Sequence, residues 1–164
     1  MEQNGILVDT SFLIRLLNEA DPLHESALDY FRYFLENDFV VKVSTIAIAE
    51  YCVRGDMDDL PFRNMLVVPF NIDHATAAGK LMAMVYREKE LRGAKIAPRA
   101  IVPNDTKMFA QAHVEEDIRY YATSDVECKK VYDLIKQGGG ALSFQFIDIT
   151  TPYDVFFGEL KFTE

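Results

Sequence analysis

Short unbroken apolar runs alternate along this chain with longer segments in which apolar residues recur every three to four positions. The first apolar run, Ile6-Leu7-Val8 after Gly5, leads directly into Asp9, Thr10 and Ser11, and a second apolar segment starts at Phe12. The first run is short and β-branched enough for a buried strand. The second, 12–17, fits the start of a helix. Asp9 then falls at the carboxyl end of a strand, where open α/β sheets place their ligand sites.

The same alternation continues. Asp21-Pro22 reads as a helix start, with the acid as N-cap and proline at the first helical position. Leu23, Ala27, Leu28, Phe31, Phe34 and Leu35 follow at helical spacing, and the stripe from Leu28 to Leu35 reads as core. Residues 40–44 form a predicted strand, and 45–54 a helix with Ile46, Ile48 and Ala49 inward, stopped at Gly55. A short helix is predicted around 60–65 and a strand at 66–70. Asp73 caps the next helix, which Ala77, Leu81, Met84 and Val85 carry to about Arg92. Residues 93–104, with Pro98 and Pro103, have no period, and Asp105 is expected to open a helix through Met108, Phe109 and Ala112. A strand at 120–123 leads to Ser124-Asp125, followed by a helix at 126–136 and a turn at Gly138-Gly139-Gly140. A last strand at 144–149 and a short helix from Thr151-Pro152 complete the pattern.

Strands alternating with helices through long connections imply a parallel sheet, here of about four or five strands, flanked by helices: an α/β class. The 164 residues read as a single domain, 1–164, without repeats or low-complexity tracts. A hydrophobic fraction of 49% and a charged fraction of 26% suit a soluble globular protein. Cys52 and Cys128 form no C-x-x-C pair and read as reduced thiols. With neither a signal-peptide pattern nor a membrane-length apolar run, the cytoplasm is the expected compartment.

Charge complicates the picture. Seventeen basic against 26 acidic residues give −9, which speaks against a general nucleic-acid binder. It does not speak against an enzyme whose acids surround a divalent cation. Asp9, Asp105 and Asp125 each stand at or just after the predicted end of a strand or the start of a helix, and Glu50 lies in the helix directly after the second strand. In a parallel sheet such junctions share one edge, so the four can converge. Individually, Asp9, Asp105 and Asp125 also read as helix caps, and Glu50 as a solvated helix residue. Converging carboxylates repel unless a cation offsets them, and all-oxygen ligands favour Mg²⁺ or Mn²⁺. Such a metal supplies an activated water for phosphodiester hydrolysis, with one or two ions left open.

Four segments then carry a family resemblance: Val8-Asp9-Thr10-Ser11, residues 44–50 ending in Glu50, Asn104-Asp105-Thr106-Lys107-Met108-Phe109-Ala110-Gln111-Ala112, and Thr123-Ser124-Asp125. In order and approximate spacing the chain resembles PIN-domain ribonucleases, above all the VapC-type toxins, over about residues 5–149. The resemblance implies a three-layer PIN-like α/β fold and Mg²⁺- or Mn²⁺-dependent cleavage of RNA. Asp9, Glu50, Asp105 and Asp125 would be the catalytic, metal-binding quartet, and Ser11 and Thr123 supporting hydroxyls. It further implies a single-stranded RNA substrate, an antitoxin partner and a homodimer, with no membrane association. The chain departs from the family in the long 93–104 segment and in the length following Gln137.

The segment from Arg87 to Arg99 is the most basic part of the chain. It reads either as a phosphate-gripping rim, with Arg99 and Lys95 the candidate substrate contacts, or as a solvated helix end. His24, His74 and His113 follow no ligand pattern and read as surface or cap residues. A phospho-receiver or D-x-D phosphatase is disfavoured by Ile-Leu-Val before Asp9 and by Thr10-Ser11 after it. The remaining rival is an inactive RNA- or protein-binding scaffold, against which the intact quartet speaks.

Overall fold

A computed structural model describes residues 4–93 and 101–158. Five strands, β1 (Gly5–Val8), β2 (Val40–Ser44), β3 (Leu66–Val68), β4 (Ile118–Thr123) and β5 (Gln145–Asp148), form an all-parallel sheet in the order β3-β2-β1-β4-β5. Helices α1 (Thr10–Leu17), α2 (His24–Glu36), α3 (Thr45–Tyr51), α4 (Ile72–Arg92), α5 (Ile101–Val114), α6 (Val126–Gln137) and α7 (Tyr153–Phe157) flank it. The chain builds outward from β1 through β2 to β3, then returns to the other side of β1 for β4 and β5. That reversal leaves a crevice between β1 and β4, the switch point at which doubly wound sheets bind ligands.

β1 is buried at every position because neighbours pair with it on both edges and helices cover both faces. Register aligns the strand ends: Val8 sits opposite Val43 on one side and Ala122 on the other, so Asp9 emerges level with Ser44 and Thr123. The Asp9 amide continues the ladder by donating to the Ala122 carbonyl at 3.2 Å. Phe12, Tyr30 and Phe34 fill the core around α1 and α2, while Phe109, Tyr121 and Phe144 pack ring against ring between α5, β4 and β5.

At the opposite end of β1, Gly5 lies so close to the turn before β4 that an added Cβ would stand 2.7 Å from the Asp117 carbonyl oxygen. Asp117 is itself fixed by Lys42 Nζ, which donates to its two carboxylate oxygens at 2.6 and 2.7 Å. Gly5→Ala should therefore lower stability by about 1–3 kcal/mol, the usual cost of overpacking. Urea unfolding checks this, and an unchanged midpoint would contradict the close approach.

Several local expectations need correction. Asp21 does not cap a helix: its carboxylate accepts from the Leu23 amide at 2.8 Å and pairs with Arg15, and α2 begins only at His24. Asn71 rather than Asp73 caps α4, in a reciprocal box with His74. The helical turn expected at 60–65 lies earlier, as a single 3-10 turn at Met57–Asp59 closed by Asp56. α3 ends at Tyr51 and β3 at Val68, both short of the predicted limits. α5 starts at Ile101, so Asp105 does not open its helix but stands in the second turn. Pro103 signals a break by composition, yet proline is tolerated in a first turn, where its missing N–H has no intrahelical partner. In the stripe on α2, Phe31 and Phe34 are buried but Leu35 is exposed.

Candidate active site

The crevice at the switch point holds a cavity of about 210 Å³. Asp9, Glu50, Asp105 and Asp125 all line it, with Thr10, Ser11, Asn104 and Met108. Four acids from four separate elements thus face one space, but their surroundings differ.

Asp9 follows β1 and caps α1, its Oδ1 accepting from the Phe12 amide at 2.8 Å and from Ser11 Oγ at 2.7 Å. Its Oδ2 accepts from Thr123 Oγ1, so the two supporting hydroxyls predicted from sequence both hold this carboxylate. Ser11 Oγ also accepts from the Ser124 amide at 2.9 Å, and Thr123 Oγ1 from the Asp125 amide at 2.9 Å. These bonds tie the turn after β1 to the turn after β4. Burial raises the Asp9 pKa to about 6, although the bonds from Thr123, Phe12 and Ser11 pull the other way. Asp125 caps α6 through the Glu127 amide, at 2.8 Å, and is half-buried. Capping and site-facing positions therefore coincide for Asp9 and Asp125: one oxygen serves the helix while the side chain still borders the cavity.

Glu50 is not a solvated helix residue. Thr10 Oγ1 donates to its Oε2 and Asn104 Nδ2 to its Oε1, which clamps α3 to the start of α1 and to α5. Thr10 and Asn104 stand beside acids in the quoted motifs, and that adjacency is the only signal of their role in the sequence. Gln111 lies in the same motif but beside no acid, so its role has no such signal. It is fully buried, accepts from Ser44 Oγ and donates to the Val68 carbonyl at 3.1 Å, so it ties α5 to the ends of β2 and β3. Ser44 in turn caps α3, the helix that carries Glu50.

Asp105 is the anomaly. It is 7% exposed, and its Oδ2 is buried without a hydrogen-bond partner among the described residues. Met108, Tyr121 and Cys128, also buried, lie close by in contact with one another. Burial, then the charges of Asp9, Asp125 and Glu50, push its pKa to about 8, which the Cys128 thiol only partly offsets. Leaving a carboxylate oxygen dry and unpaired costs on the order of 1–3 kcal/mol or more. Such groups persist where something other than stability retains them.

Among the described residues no three His, Cys, Asp or Glu side chains are gathered closely enough to hold a metal ion as they stand. Asp9 and Glu50 are each held by hydrogen bonds to neighbouring side chains. The donor set nevertheless fits Mg²⁺ or Mn²⁺, because such ions take one or two direct carboxylates and keep several waters. The unpartnered Oδ2 of Asp105 is the atom best placed by chemistry to accept one.

The candidate rim is only partly described. Arg87 and Arg92 both pair with Glu88, at 3.4 and 3.1 Å, which neutralises part of the basic run. Lys95 and Arg99 lie outside the described residues. His74 is a cap residue but fully buried, with Nε2 2.9 Å from Glu115. No helix among the described residues is long and apolar enough to cross a membrane.

A five-stranded parallel sheet with acids at its switch point defines a PIN-like α/β fold. Solved structures share it. VapBC2 from Rickettsia felis, bound to a DNA fragment from their promoter, aligns at a TM-score of 0.56 and 17% identity, over 88% of this chain and 99% of the other. VapC20 from Mycobacterium tuberculosis, a sarcin-ricin loop cleaving toxin, gives 0.52 and 19%, over 76% and 93%. DNA-bound VapBC from Salmonella typhimurium gives 0.53 and 13%, over 88% and 98%. No protein-family model and no curated protein matches the chain. The chain has the fold of these VapC proteins, as its motifs led one to expect.

Proposed function

We propose that this protein is a metal-dependent endoribonuclease that hydrolyses RNA phosphodiester bonds. One observation carries the reading: Asp105, whose buried Oδ2 has no hydrogen-bond partner among the described residues, faces the same cavity as Asp9, Glu50 and Asp125. Four acids in one crevice without a cation are unfavourable; with one they become a phosphate-recognising centre. The VapC fold supports the same direction, since one of the similar structures is a sarcin-ricin loop cleaving toxin.

Asp9 and Asp105 would hold Mg²⁺ or Mn²⁺, with Glu50 and Asp125 acting directly or through water. The cation, when bound, would supply charge for the phosphate and an acidified water. Ser11 and Thr123 fix the Asp9 carboxylate so that it does not reorganise as charge develops. Thr10 and Asn104 hold Glu50 in the same way. Asp9 or Asp105 would steer the attacking water. The likeness to VapBC structures supports a toxin that pairs with an antitoxin, and a cytoplasmic homodimer is the assembly we assign to it.

The test is cleavage of single-stranded RNA by the purified chain with Mg²⁺ or Mn²⁺ against the same reaction in EDTA. Cleavage should require the metal, and millimolar Mn²⁺ should raise the melting temperature. A cation at 100-fold excess over its Kd adds about 2.7 kcal/mol to a folded state that alone binds it. Metal-independent cleavage, or neither cleavage nor a melting shift, would refute the reading.

A further inference from the structure

A second and larger cavity, of about 520 Å³, adjoins the acidic one, and Glu50 lines both. Its walls are mostly apolar, built from Ile14 and Leu17 of α1 and from Tyr51 and Val53 at the end of α3. Ile14 is 43% and Val53 78% exposed, so the apolar wall is open to solvent. The Tyr51 ring lies directly against Gly55, where an added Cβ would stand 2.4 Å from ring Cε1. Glycine at that position seats the ring. The Asp59 carboxylate stands beside the tyrosine hydroxyl, and the neighbouring Asp56 is engaged in capping the 3-10 turn.

Two polar groups complete the wall. Arg54 is exposed and forms no ion pair among the described residues, whereas Arg15, Lys42, Arg87 and Arg92 are all paired with acids. Asn18 already accepts from the Ala20 amide through Oδ1, at 3.2 Å, and so offers its N–H₂. An aromatic ring, an apolar wall, an amide donor and an unpaired guanidinium next to a phosphodiester-cleaving site are what one nucleoside with its outer phosphate requires.

Resting on the ribonuclease reading, we propose that this cavity binds the nucleoside adjoining the scissile phosphate of a single-stranded RNA. Its base packs against Tyr51 and the apolar wall, and its outer phosphate lies on Arg54. Asn18 favours a base that presents a carbonyl, such as uracil, over adenine. An apolar peptide segment is the rival occupant, but it makes no use of an unpaired guanidinium.

The experiment uses fluorescently labelled oligouridylates that carry a single abasic site at successive positions. Cleavage is measured with the wild-type chain in Mn²⁺, and binding by anisotropy with Asp105→Asn. An abasic site next to the cleaved bond should weaken binding about tenfold, the scale of one base stacked on an aromatic ring, and other positions much less. Tyr51→Ala should erase that positional penalty, and Arg54→Gln should raise KM several-fold with kcat little changed. Val53→Asp and Arg54→Gln alter exposed side chains, so they keep the test open should Tyr51→Ala fail to fold. Lys80→Gln, exposed on α4 and outside the cavity, should behave as the parent. Cleavage with every cavity variant unchanged overturns this assignment and leaves the nuclease reading standing. Binding without cleavage, dependent on Tyr51 and Arg54, supports the cavity and removes the nuclease. Neither cleavage nor binding overturns both.

Discussion

Asp105→Asn is expected to reduce RNA cleavage by about 100- to 1,000-fold, the scale set by removing one electrostatic partner of a developing charge. The same substitution should make the metal-free protein more stable. Asp105 has a folded pKa of about 8 against 3.8 for an exposed aspartate. The folded state therefore binds this proton more tightly than the unfolded chain does, and its stability falls as pH rises from about 4 to about 8. The shift sets an upper limit that charge relaxation reduces, which leaves roughly 1–3 kcal/mol. The amide cannot ionise, so the gain of Asp105→Asn over the wild type should be greatest near pH 8 and vanish near pH 4. Mn²⁺ should reverse the order by stabilising the wild type and leaving the variant unmoved. Undiminished cleavage by the variant, once contaminating nuclease is excluded, would remove Asp105 from the chemistry. A variant less stable at pH 8 than the wild type would show that its carboxylate has a partner after all.

Phe109→Ala should be the most destabilising single change near the site, at about 3–5 kcal/mol. Phe109 is fully buried and stands one helical turn beyond Asp105 on α5. Its ring lies 4.8 Å from that of Tyr121 and 5.6 Å from that of Phe144, so it fastens α5 to β4 and the start of β5. The cavity left by alanine would release the helix that aims Asp105, Asn104 and Gln111. Cleavage should therefore fall along with stability, and Phe109→Leu should recover most of both. Chemical unfolding and initial cleavage rates at a temperature where each variant stays folded separate the two effects. A Phe109→Ala protein that unfolds at the wild-type midpoint would show that α5 is held by other contacts.

Parts of this site were readable before any fold was known. Asp9, at the end of an apolar run and ahead of Thr10 and Ser11, shows its junction in a few residues, and Asp125 after the β4 run does likewise. Both follow from local rules, since a strand end and a helix cap are each fixed within about four residues. Asp105 was readable as an acid of interest but placed wrongly, because Pro103 looks the same in a loop as in a first helical turn. Glu50 was readable by motif alone, and its clamp was not: Thr10 is 40 residues away and Asn104 is 54.

The amino-acid order thus settles the alternation of strands and helices, the parallel sheet it entails and the four acids along its carboxyl edge. Packing alone determines which of those acids is satisfied and which is stranded, that Gln111 joins the ends of two strands, and that a second cavity shares Glu50. Periodicity and capping act over one or two turns and leave their mark on neighbouring residues. A hydrogen-bond partner or a desolvated oxygen depends on what the rest of the chain brings alongside, and distance along the sequence carries no record of that.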